Sequence, residues 1–182
     1  MCRRWREIPK PMIAQVHGAC IAGGLMLAWV ADFIVASDDA VFGLPEVDRG
    51  ALGAATHLAR LVPQHMMRTL YFTAKNVTAQ QLEHFGSVYR VVPREDLLDA
   101  ALEVAEAIAA KDTRVIRAAK EAINNIDPVD VKASYRLEQG YTFELNLAGV
   151  ADDRLKRLAA AEGEGADVQA EVSGGRIKVE DQ

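Results

Sequence analysis

Three short apolar runs punctuate the first fifty residues: "PMIAQVHG" after Pro11, "FIVASDD", and "VFGLPEV", the last two separated by a polar corner at Ser37 to Asp39. Runs of this length bounded by glycine and polar residues predict strands. Between the first and the second lies "GGLMLAWVAD", in which Leu25, Leu27, Ala28, Val30 and Ala31 leave no polar face, so it predicts a helix buried all round. From Ala54 the spacing turns helical through "AATHLARLVPQHMMRTLYFT" and "TAQQLEHFG", with breaks at Pro63 and Gly86, and "VYRVVP" adds one more strand. Glu95 to about Ala148 is helical in pattern, divided by Pro93 and Pro128, and "EDLLDAALEVAEAIAA" is amphipathic with acidic residues where the helix dipole favours them. Beyond about Asp152 small, acidic and glycine residues alternate, only "RIKVE" has strand texture, and poor packing is expected. The predicted organisation is an α/β core over 1–93, a helical region over 94–150 and a divergent, flexible tail over 151–182.

Composition narrows the function classes. The chain has 182 residues, half of them hydrophobic, enough for one domain with a sizeable core. Its net charge is -5 and its Lys and Arg residues are scattered, so a nucleic-acid surface is not expected. The longest apolar stretch, Ala19 to Ala31, is well short of the roughly 20 residues of a membrane span, and the N-terminus lacks a secretory pattern. Cys2 and Cys20 stand in no metal or redox spacing, which predicts a reducing compartment, cytoplasmic or an organelle matrix. His57, His65 and His84 share no spacing, so no metal site is expected, and His17 reads as a turn-capping residue.

The Gly23-Gly24 pair is the first chemical signal. A strand that turns into a helix presents backbone N–H groups at the positive end of the helix dipole, and glycine lets a ligand approach them. Such a site holds a phosphate or a carbonyl oxygen that becomes negative during reaction. Neither G-x-G-x-x-G nor Gly-Lys-Ser/Thr is present, which disfavours phosphate, and the plain alternative is close packing of helix on strand.

The ordered series "KPMIAQVHGACIAGGLMLAWVADFIVASDDAVFGLPEVDRGALG", "HLARLV", "TAQQLEHFGSVYRVVP" and "AAKEAIN" resembles the enoyl-CoA hydratase/isomerase, or crotonase, family over roughly Pro9 to Val150. The resemblance implies an α/β fold, a spiral of ββα turns that is N-terminally incomplete here, with a C-terminal helical trimerisation region. An acyl-CoA thioester is the implied substrate, with no cofactor beyond its coenzyme A, and the implied assembly is a homotrimer or dimer of trimers. Carried over by position, the Gly23 N–H is an oxyanion donor with Gly24 beside it, Glu46 in "FGLPEV" is the acid/base, and Lys120 in "AAKEAIN" approaches the CoA phosphates, against a solvated surface lysine as the plainer reading.

Two departures qualify the chemistry. Hydratases of the family carry a second glutamate where this chain has Met26, which lines the site without titrating. Asp48 and Arg49 read as a turn pair, and the acidic position of dienoyl-CoA isomerases falls on Ala54. The family's "Ala-Gly-x-Asp" stretch, which supplies the other oxyanion donor, has no counterpart before Lys10. The expected activity is hydration, dehydration or double-bond isomerisation through a stabilised thioester enolate. The alternative is a catalytically impaired relative that binds CoA thioesters or serves as an oligomeric partner. The stretch with Tyr135, Tyr141, Phe143 and Leu147 reads as a contact between subunits.

Overall fold

The computed structural model describes residues 2–126 and 131–163. A short helix α1 (Cys2–Arg6) precedes two strands in close succession, β1 (Ile13–Val16) and β2 (Ala19–Ile21), and the helix α2 (Gly23–Trp29). The same order repeats with β3 (Phe33–Ser37) and β4 (Val41–Gly43), followed by a 3-10 turn over Pro45–Arg49 and helices α3 (Ala55–Leu58) and α4 (Gln64–Thr73). Then come β5 (Val77–Thr78), α5 (Ala79–His84), β6 (Arg90–Val92), a 3-10 turn over Arg94–Asp96 and α6 (Leu97–Ala109). Helices α7 (Thr113–Ile126), α8 (Val131–Leu147) and α9 (Val150–Gly163) complete the described chain.

Each repeat gives its first strand to one sheet and its second to another. β1, β3 and β6 form a parallel sheet in that order, while β2 and β4 pair in parallel and β5 closes the second sheet antiparallel to β4. Successive ββα turns therefore stack as a spiral. Side-chain alternation in β3 divides the core: Ile34 and Ala36 face the main cluster with Leu25, Trp29, Phe42 and Leu82, whereas Val35 faces a second cluster with Leu97, Ala101 and Val104 of α6. Leu97, Ala100, Ala101 and Val104 recur at helical spacing, which is why α6 lays one stripe against the first sheet.

Several expectations change. The run "VFGLPEV" is a strand only to Gly43, because Pro45 has no N–H for a ladder and opens the 3-10 turn. β2 and β5 escape a propensity reading because strands of three and two residues exist through their partners. α2 is buried on one side only, through Leu25, Ala28 and Trp29, while Gly23 and Gly24 are exposed. Residues 150–163 form a helix, with Asp152 and Asp153 in its first turn, where they offset the dipole; its described side chains beyond Ala151 are exposed, and the rest of the expected tail lies outside the described residues. The "RIKVE" stretch and Pro128 lie outside the described residues, as does the side chain of Tyr135. No helix among the described residues is long and apolar enough to cross a membrane.

Candidate active site

The two glycines and Glu46 leave the same end of neighbouring strands. β2 and β4 run parallel with Ile21 opposite Gly43, so α2 begins two residues beyond one strand and Glu46 lies three residues beyond the other. Adjacent strands are about 4.8 Å apart, and ligands of parallel sheets gather beyond the carboxyl ends of the strands.

Ala22 makes the turn into α2 with φ 53° and ψ -118°, a conformation that costs an L-residue about 1 to 3 kcal/mol. Its N–H donates to Gly43 O at 3.1 Å and its carbonyl accepts from Met26 N–H at 3.1 Å, which holds the strained residue at both ends. The N–H groups of Gly23, Gly24 and Leu25 precede that first helical bond and have no acceptor within the helix. Among the described residues, nothing lies within 4 Å of where a Cβ on Gly23 or Gly24 would stand, so helix-on-strand packing does not account for either glycine. A largely apolar cavity of about 340 Å³ opens beside Gly24, bordered by Trp5, Val16, Cys20 and Leu27. Burial pushes the Cys20 thiol up to about 11, so it stays protonated at neutral pH and does not offer a nucleophile.

Glu46 is the second residue of the 3-10 turn and is half-buried, with Oε2 shut off from solvent. Gly50 ends the turn at φ +71°, a left-handed conformation that suits glycine, and Ala51 N–H donates to Glu46 O at 3.0 Å. The returning chain brings Gly53 against the carboxylate: a Cβ there would stand 2.7 Å from both Cδ and Oε2. Sequence reasoning missed Gly53. A glycine in a loop has many explanations, and this one depends on a contact seven residues back. The start of α9 closes on the same turn, with Val150 O at 3.0 Å from a Cβ on Gly50, and a cavity of about 470 Å³ lies between Val47, Asp48, Gly50 and α9.

Met26 is half-buried in α2, one turn beyond Ala22. Lys120 corrects both readings made of it. It is 5 % exposed, and its Nζ donates to Asp32 Oδ1 at 2.5 Å and Oδ2 at 2.6 Å, so neither solvent nor a phosphate claims it. The pair fastens α7 to the segment joining α2 and β3.

The histidines divide. His17 Nδ1 lies 2.9 Å from Arg94 at the turn between β1 and β2. His57 is 1 % exposed in α3, and burial, then the charges of Arg60 and Arg6, hold it down at about 4. Among the described residues no group of three or more His, Cys, Asp or Glu is placed to hold a metal.

The chain is 78% identical over 143 residues to a (7aS)-7a-methyl-1,5-dioxo-2,3,5,6,7,7a-hexahydro-1H-indene-carboxyl-CoA hydrolase of Rhodococcus jostii, a match covering 79% of this chain and 55% of that one. A protein of the same name from Mycobacterium tuberculosis is 67% identical, with 81% of this chain and 60% of the relative covered. The chain thus spans little more than half the length of these relatives. Among solved structures, a carnitinyl-CoA hydratase from Mycobacterium avium superposes with a TM-score of 0.76 at 30% identity, covering 86% of this chain and 61% of that one. The model of the enoyl-CoA hydratase/isomerase family matches residues 2–149, so the repeating ββα turns, the glycine turn and the Glu46 segment have a common explanation: the chain belongs to that family.

Proposed function

We propose that the turn before α2 and the 3-10 turn after β4 are two parts of an acyl-CoA site. The Gly23 N–H, with Gly24 beside it, holds the thioester oxygen, and Glu46 moves the proton. The observation that carries this reading is their departure from the same end of paired strands, with open space where a side chain at either glycine would be. A carbonyl under attack gathers charge on oxygen, and one preformed donor aimed there is worth about 3 kcal/mol. The apolar cavity beside Gly24 suits the apolar part of the substrate.

Met26 removes the second carboxylate that two-acid hydration uses, which favours chemistry a single carboxylate can run. The names of the two hydrolase relatives support hydrolysis of a CoA-linked fused bicyclic ketone. In that reaction Glu46 takes a proton from water as the water oxygen bonds to a carbonyl carbon, and the C=O electron pair moves onto the oxygen held by Gly23. Because the oxygen held by Gly23 is that of the thioester, return of that pair breaks the C–S bond, and the coenzyme A thiolate that leaves takes the proton back from Glu46. The second reading is hydration, dehydration or double-bond shift of an enoyl-CoA through a thioester enolate, favoured by the family match. Neither needs a cofactor beyond the coenzyme A of the substrate. We also propose a homotrimer or dimer of trimers in the cytoplasm or an organelle matrix. The exposed Ile123, Ile126, Leu137, Tyr141, Phe143 and Leu147 of α7 and α8 support such a contact.

The test is turnover of the bicyclic diketone carboxyl-CoA and of crotonyl-CoA by the purified chain, followed by mass spectrometry. Glu46→Gln should lower turnover at least 100-fold while affinity stays within about tenfold, because the amide is nearly isosteric but takes no proton. Undiminished turnover overturns the role of Glu46. Thioester binding without turnover in the parent chain replaces the enzyme reading with that of a binding or oligomeric partner, and a monomer in light scattering overturns the assembly.

A further inference from the structure

We propose that Tyr71 is a positioning residue for Glu46, acting through the Gly53 peptide; this rests on the reading of Glu46 as the proton carrier. Gly53 is buried, and one phenol engages both of its backbone polar groups: Gly53 N–H donates to Tyr71 Oη at 3.1 Å and the Tyr71 O–H donates to Gly53 O at 3.4 Å. Tyr71 comes from α4, where it and Leu70 are buried in the main core, so the hydroxyl sits on a rigid support. The Cα of Gly53 in turn forms the wall against which the Glu46 carboxylate lies, so close that a Cβ would meet Cδ and Oε2 at 2.7 Å. The loop is fastened near its start as well, through Ala51 N–H on Glu46 O at 3.0 Å.

With both ends held, the wall neither tilts into the carboxylate nor withdraws from it, and the carboxylate keeps one orientation in a seat closed to water on the Oε2 side. If Tyr71 only filled the core, phenylalanine would serve as well, because the ring is what packs. The hydroxyl is the part that reaches the Gly53 peptide. A proton carrier misplaced by 1 Å loses rate steeply, which is why a contact one step removed from the reaction matters to turnover.

The experiment compares the parent chain with Tyr71→Phe and Gly53→Ala. Two readouts are taken: kcat and KM on whichever thioester the parent turns over, and the rate at which a water-soluble carbodiimide labels Glu46 in the folded protein, mapped by mass spectrometry. For both variants kcat should fall at least tenfold with KM within twofold, and Glu46 labelling should rise at least fivefold. Labelling needs no turnover, and Gly53→Ala carries the comparison if Tyr71→Phe does not fold. Parent-like labelling in the variants overturns the proposal. If Glu46→Gln is inactive while Tyr71→Phe keeps the parent kcat, the positioning role fails alone. If Glu46→Gln keeps turnover, the proton-carrier reading fails, and the labelling still decides whether Tyr71 fixes the seat.

Discussion

Replacing Asp32 by asparagine leaves the Lys120 ammonium buried without its counter-charge. The two side chains are 4% and 22% exposed, and the ammonium bonds both carboxylate oxygens at 2.5 and 2.6 Å. Asp32 Oδ2 also accepts from Met12 N–H at 2.8 Å, so the carboxylate joins α7 to the start of β1 as well. Removing one member of a buried pair costs about 3 to 5 kcal/mol, and water reaching the partly open Asp32 side places Asp32→Asn near 3. Lys120→Met should cost less, about 1 to 2 kcal/mol, because the remaining carboxylate keeps the Met12 N–H and has access to water. The double variant should lose less than the sum, since the second change removes the stranded charge. Urea unfolding followed by fluorescence of the buried Trp29 measures this. With a slope of about 2 kcal/mol per molar, Asp32→Asn lowers the midpoint by about 1.5 M. Raising the salt should close only part of the gap, because the ammonium end of the pair is buried and poorly screened while the carboxylate end is partly open. A loss below about 1 kcal/mol for Asp32→Asn, or a larger loss for Lys120→Met, refutes the reasoning.

Gly24→Ala should leave stability unchanged or raise it by up to about 1 kcal/mol, since the methyl meets no atom and alanine restricts the unfolded chain; a lower thermal midpoint contradicts the open space in front of α2. Met26→Glu should raise hydration of crotonyl-CoA by supplying a second carboxylate, measured as loss of the enoyl absorbance, and rapid hydration with methionine in place contradicts the single-carboxylate argument. His57 titrates near 6.5 when unfolded and is held down at about 4 when folded. The unfolded chain therefore binds the proton first, and stability is full above about pH 6.5 and is lost as pH falls toward 4. The loss should be on the order of 2 kcal/mol in urea midpoints between pH 7 and 4.5, and a His57→Gln slope as steep as the parent's would assign it to other groups.

The readings that held in structure are those set by neighbours in sequence. The amphipathic helix in "EDLLDAALEVAEAIAA", the strands around Ile13 and Phe33, and the strand ending at Val92 all follow from residues within a turn or two of each other. The glycine turn and "FGLPEV" are also local, and their order along the chain is what resembles the family. That resemblance could name Glu46 but not show what surrounds it.

What the tertiary structure decided depends on residues distant in sequence. Lys120 reads as a solvated helix residue because nothing nearby opposes it. Its partner Asp32 is 88 positions away, and only the packing of α7 brings the charges together. β2 and β5 are too short to form unless β4 supplies the hydrogen bonds. Gly53 is just another loop glycine until the chain doubles back onto Glu46 and Tyr71 reaches across 18 positions to hold it. Local preference is written in the residue types, whereas a part-buried ion pair, a two-residue strand and a carboxylate's seat exist only once the chain has closed on itself.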